Sequence, residues 1–128
     1  MRAWITLFAA AISLAACSDD HGSGVFGPPT ESTCPTGSTL TYDNFGKSFM
    51  ERYCTRCHSS ELVGAARKGA PSFHDFDTQP GIKGVADHID ETTAAGPAAT
   101  NKGMPPDGLR PTMEERLQLG EWIACGVP

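Results

Sequence analysis

At 128 residues the chain has room for one compact domain, and an N-terminal leader takes up part of that length, so a second independent core is not expected. Ten Lys and Arg face fifteen Asp and Glu, for a formal net charge of −5 that becomes −6 once Arg2 leaves with the leader. An acidic chain of this kind excludes nucleic acid as a partner, because that would need a basic face.

The first sixteen residues, MRAWITLFAAAISLAA, carry one positive charge at Arg2 and then an apolar run that only Thr6 and Ser13 interrupt. They read as a secretory signal over residues 1–16, too short to span a bilayer. The run closes on Leu14-Ala15-Ala16-Cys17, which resembles the lipobox of bacterial lipoproteins. That resemblance implies that Cys17 becomes the acylated mature N-terminus of an exported protein, facing the periplasm or cell surface. Two or more acyl chains hold a protein on a membrane without a basic patch. Ser18, next to the acylated cysteine, leans the sorting towards the outer rather than the inner membrane. Residues 17–33, rich in Gly, Pro, Ser, Thr and acid, read as a flexible tether, and residues 34–128 as the domain.

In the domain, Tyr42, Phe45, Phe49 and Tyr53 fall at helical spacing, with Gly46 and Met50 beside the stripe, and predict a helix that runs into Cys54-Thr55-Arg56-Cys57-His58. A loop with Gly64, Gly69 and Pro71 follows. A second helix is expected from Thr78, with Pro80 in its first turn and Ile82, Val85 and Ile89 on one face. The stretch AAGPAATNKGMPPD, residues 94–107, is a Gly- and Pro-dense loop holding Met104, which hydropathy does not explain. Thr112-Met113-Glu114-Glu115 has capping-box form and opens a last helix with Leu119, Trp122 and Ile123 on one face, stopped by Gly126. No stretch alternates as a strand does. The reading is a small all-α domain whose long irregular connections look too loose for the apolar content, so that a non-protein group is expected to complete the core.

Five cysteines in an exported chain need an account. With Cys17 acylated and Cys54 and Cys57 in the motif, Cys34 and Cys125 remain, and an oxidising compartment favours their pairing. In CTRCH, two residues between the thiols let both sulfurs reach the two vinyl groups along one haem edge, and the adjacent His58 turns its imidazole to the iron: the c-type haem attachment signal. A structural zinc site would need two more ligands at matched spacing, and the chain has no second C-x-x-C or H-x-x-x-H. A thioredoxin-like pair would need a strand before the motif, and here a helix precedes it.

From about Cys34 to Cys125 the chain resembles a class I cytochrome c: a helix into CTRCH, a Pro-bearing loop, a Met in a late Gly/Pro loop and a closing helix. The resemblance implies a small cytochrome c fold of three to five short helices around one covalently bound haem c, with Cys54 and Cys57 as thioether anchors and His58 as proximal ligand. It makes Met104 the distal ligand, and has Pro71 supply a backbone carbonyl to the other ring nitrogen of His58. It also implies that Gly46 and Met50 pack against Leu119 and Trp122. Phe73, Phe76, Ile82 and Trp122 are read as the wall around the ring, Met50 and Met113 as packing. His74 and His88 are the rival distal ligands.

The function implied is a membrane-tethered carrier of single electrons between redox partner proteins, with no small-molecule substrate and no catalytic residues. A haem enzyme or gas sensor with an open or labile distal position is the alternative. Arg56, Arg67, Lys68 and Lys102 are expected to form a basic rim on which acidic partners dock.

Overall fold

Thr41 opens the first helical segment by a capping box: its hydroxyl accepts from Asn44 N at 3.2 Å, and the Asn44 side chain accepts from Thr41 N at 2.8 Å. A π-helical turn, Tyr42–Gly46, then runs straight into α1, Lys47–Tyr53. The computed structural model describes residues 25–128, so the expected signal at 1–16 and the lipidation site Cys17 lie outside the described residues. The chain is helical. α1 is followed by a 3-10 turn, Gly64–Arg67, then by α2, Gln79–Gly84, α3, Ala86–Thr93, and α4, Met113–Ala124. Among the described residues there is no strand, only an isolated antiparallel bridge between Ala95 and Thr100. No described helix is long and apolar enough to cross a membrane.

The helix expected from Thr78 is in fact two. Thr78 caps α2 by accepting from Gly81 N at 3.2 Å, and Pro80 sits in the first turn, where no donor is missed. The helical path then breaks at Val85, at φ −136° and ψ 29°, before α3 begins. The break does not cost the apolar face, since Ile82 and Ile89 are both buried. α4 starts as its sequence predicts: Thr112 accepts from Glu115 N and donates its own N–H to Glu115. Gly126, at φ +85°, ends it in the left-handed region, with its N–H returning to Ile123 O and that of Val127 to Trp122 O.

The core lies where the two ends of the domain meet. Phe49, Met50, Tyr53, Phe76, Ile82, Ile89, Leu119, Trp122 and Val127 form one buried cluster. Gly46 makes this packing close: a Cβ there would lie 2.3 Å from the buried Trp122 ring. The Pro128 carbonyl accepts from Tyr42 N, and Cys34 and Cys125 lie at disulfide distance, with Cα atoms 4.7 Å apart.

Residues 25–33 do not behave as the tether expected of them. Thr30 is 1 % exposed, with its N–H and hydroxyl both donating to the Asp90 carboxylate, at 2.8 and 2.5 Å. Gly27 N donates to Glu91 O, and the Asn101 side chain donates to Pro28 O. Composition suggested solvent, because these residues bury little apolar surface; they are held instead by hydrogen bonds to α3 and the 94–107 loop. The packed domain therefore begins before residue 34.

Candidate cofactor site at the end of α1

α1 delivers the motif. Cys54 is the residue that closes the helix, its N–H bonded to Met50 O at 2.8 Å. Cys57 N and His58 N then both donate to Cys54 O, at 3.1 and 3.0 Å, which folds the five-residue motif into one tight turn. Cys54 and Cys57 are both free thiols and both half-buried. Burial pushes the Cys54 thiol up to about 12, with the neighbouring Cys57 adding to the effect and Arg56 opposing it. Such a thiol is protonated at neutral pH, unlike the low-pKa thiolate of a redox pair.

His58 is fixed on the far side of the turn. Its carbonyl accepts from Phe76 N at 2.9 Å, and its ring stacks on Phe76 with centroids 4.5 Å apart and planes 9° from parallel. Ser59 and Ser60 hold the next turn through the Asp77 carboxylate. His58 Nδ1 is the one fully buried side-chain N or O without a hydrogen-bond partner among the described residues. Burial, first, and the charge of the neighbouring His74 hold this imidazole below the ordinary histidine range, against the opposing pull of a hydrogen bond to the His74 backbone. A neutral ring is the form that ligates a metal. Two free thiols, a neutral imidazole beside them and a flat aromatic ring behind it fit the donor set of a covalently anchored haem. Among the described residues no three His, Cys, Asp or Glu side chains converge as a metal site.

Met104 is half-buried, in a loop pinned at that residue: its N–H donates to Thr92 O at 2.9 Å and its carbonyl accepts from Arg116 Nη1 at 3.3 Å. Arg116 is 3 % exposed, and the same Nη1 reaches the Thr93 and Asn101 carbonyls at 2.6 and 2.8 Å. A buried guanidinium thus ties the Met104 loop to the first turn of α4. The peptide bond from Met104 to Pro105 is cis.

The rival ligands turn to one another. His74 is buried, with Nε2 3.4 Å from Nδ1 of His88, and its ring centroid is 5.9 Å from that of His58. Three imidazoles that are scattered in sequence are therefore neighbours, which no local spacing signals. Of the four aromatic and aliphatic residues assigned to a cofactor wall, Phe76 and Ile82 are buried near or within the core. Phe73 is 65 % exposed, and Trp122 is engaged with Gly46 and Phe45. Met113, expected as packing, is half-exposed. A cavity of about 500 Å³ opens beside the motif along Thr55, Arg56 and Phe76, but Lys47, Glu51, Glu61 and Asp77 also line it, so it is a wet groove rather than a dry slot.

Two site expectations change. The basic rim loses half its charges. Arg67 is buried against Asp75 at 2.9 Å, and Arg56 is paired with Asp107, leaving Lys68 and Lys102 exposed. Pro71 carries a different bond from the one the resemblance implies. Its carbonyl accepts from Arg67 Nη2 at 2.5 Å and from His74 N at 3.1 Å, and not from His58. Arg67 was legible only as one more surface charge, because nothing in GAARKGAP marks a cation whose partners are backbone carbonyls. No protein-family model, curated protein or solved structure matches the chain.

Proposed function

We propose that the chain is a lipid-anchored, exported monohaem c-type cytochrome that carries single electrons between periplasmic or membrane redox partners. Cys54 and Cys57 are its thioether anchors, His58 its proximal ligand and Met104 its distal ligand. The observation that carries this reading is the turn at the end of α1, in which both thiols stay free beside a half-buried imidazole while the other described cysteines, Cys34 and Cys125, are paired. A haem held there would supply a one-electron couple. The chain's own part is to fix the His58 ring against Phe76 and to hold the Met104 backbone between Thr92 and Arg116. A ligand held in one place in both oxidation states keeps reorganisation small, and a thioether favours ferrous iron.

The test is expression with a c-type maturation system. Wild-type protein should retain haem through denaturation, and Cys54→Ser/Cys57→Ser should not. The ferric protein should show a thioether charge-transfer band that Met104→Ala removes, and should bind cyanide slowly. Rapid binding of cyanide or carbon monoxide by the untouched protein would move the reading to a haem enzyme or sensor.

A further inference from the structure

The chain is acidic overall, yet three of its cations meet at one cavity with no acid among its walls. The cavity holds about 260 Å³ and is lined by Lys102, Arg110, Pro111, Met113 and Arg116. Among the described residues Arg52, Arg56 and Arg67 each pair with a carboxylate, and Lys102, Arg110 and Arg116 do not. The carboxylates whose charge reaches these two arginines are spent elsewhere: Asp107 on Arg56, and Glu115 on Tyr53 and Thr112 N.

Both guanidiniums are held by backbone carbonyls instead. Arg110 donates from Nη1 to Lys102 O at 3.3 Å and from Nη2 to Pro106 O at 2.8 Å. Arg116 serves the Thr93, Asn101 and Met104 carbonyls with Nη1 alone, and its Nε and Nη2 make no hydrogen bond among the described residues. A carbonyl fixes the direction of a guanidinium but brings only a dipole, so the positive charge is oriented without being cancelled. The consequence is visible at Arg116: burial, first, and then the charge of Arg110 hold its guanidinium below the ordinary range, with Glu115 and Tyr53 opposing. Oriented donors beside uncancelled charge suit an oxyanion, and a planar guanidinium fork matches carboxylate or phosphate oxygens two at a time.

We propose that this cavity binds a small multivalent oxyanion, a phosphate or a compact polycarboxylate, with the buried Arg116 at its base and the exposed Lys102 and Arg110 at its rim. The site goes beyond the electron-carrier reading and does not depend on it. Occupancy bears on the Met104 loop, because Lys102 belongs to that loop and Arg116 carries the Met104 carbonyl.

The test titrates the full mature protein with sodium phosphate and, separately, with sodium citrate, each against sodium chloride at matched ionic strength. At least one of the two anions should raise the thermal midpoint saturably where chloride does not, as a ligand of the native state does. The same anion should shift amide resonances around Lys102, Arg110 and Arg116 and slow exchange of the Met104 amide. Which of the two acts tells phosphate from polycarboxylate. Arg110→Gln and Lys102→Gln should each weaken the apparent affinity about tenfold, as loss of a charge-assisted contact does. Lys83→Gln, the same charge change on an exposed lysine of α2, should leave it unchanged. No saturable rise with either anion beyond that of chloride overturns the proposal. Equal weakening by Lys83→Gln overturns it too, because the response is then one to net charge. Should Arg110→Gln fail to fold, Lys102→Gln decides, since the Lys102 side chain makes no hydrogen bond among the described residues that folding could lose. A chain that takes no covalent haem but binds the anion keeps this site and loses only the haem reading.

Discussion

The hydroxyl of Tyr53 donates to both carboxylate oxygens of Glu115, at 2.8 and 2.9 Å, and so joins the last residue of the helix that carries the motif to the first turn of the closing helix. Glu115 already serves as the capping-box acceptor for Thr112 N, so a single carboxylate completes α4 and secures α1 against it. The helix that leads into the motif is thus braced by a residue 62 positions beyond Tyr53, with the Gly46–Trp122 packing alongside.

Tyr53→Phe should lower stability by about 1–2 kcal/mol, as for a hydrogen bond to a charged acceptor. It should also weaken the acid dependence. Burial pushes the Glu115 carboxyl up, but hydrogen bonds from Thr112 and Tyr53 together outweigh it and hold it below the usual range. A depressed carboxylate contributes stability above its unfolded pKa and loses it as pH falls through the folded one. Tyr53 is the mirror case, raised by burial and then by Glu115, so its contribution is lost as pH rises through the phenol range. Denaturant midpoints measured from acid to alkaline pH should fall at both ends in wild type and less steeply in the variant.

Gly46→Ala places a methyl 2.3 Å from a Trp122 ring that is fully buried. The ring has no room to retreat. Stability should fall by about 1–3 kcal/mol, as overpacking of a close contact does, read as a drop in thermal midpoint with little change in helical content.

Cys34→Ser/Cys125→Ser opens a loop whose ends are 91 residues apart. The chain-entropy account assigns about 4–5 kcal/mol to a closure of that length. Urea unfolding of the variant, and of wild type under reductant, should shift to lower midpoint by matching amounts.

Arg116→Met removes the donor that reaches the carbonyls of Thr93, Asn101 and Met104. Leaving buried carbonyls unpaired should cost about 2–4 kcal/mol. The loss should be local as well as global. Exchange of the Met104 amide, protected by Thr92 O, should accelerate more than that of amides in α1.

Much of the helical framework can be read along the chain. The stripe from Tyr42 to Tyr53, the Thr112 capping box and Gly126 each announce a boundary through short-range chemistry, and the structure has helices ending where they say. Short-range signals fail where a partner is remote. The break at Val85 splits a helix whose apolar periodicity is continuous, because periodicity records burial and not backbone path. Thr30 looks like a tether residue until Asp90, sixty positions on, accepts both its donors.

The same division runs through the site. Sequence alone determined the reactive set, two thiols and an imidazole in CTRCH, since spacing within five residues depends only on the local chain. Cysteine accounting likewise left Cys34 and Cys125 for each other, and the structure brings them together. Tertiary structure decided what surrounds that set: Phe76 stacked on His58, His74 turned to His88, and Arg116 beneath Met104. It also decided that Arg67 lies inside the fold and holds the Pro71 carbonyl. A side chain's charge is written in its own residue, but its burial and its partners are set by segments that meet only when the chain has folded.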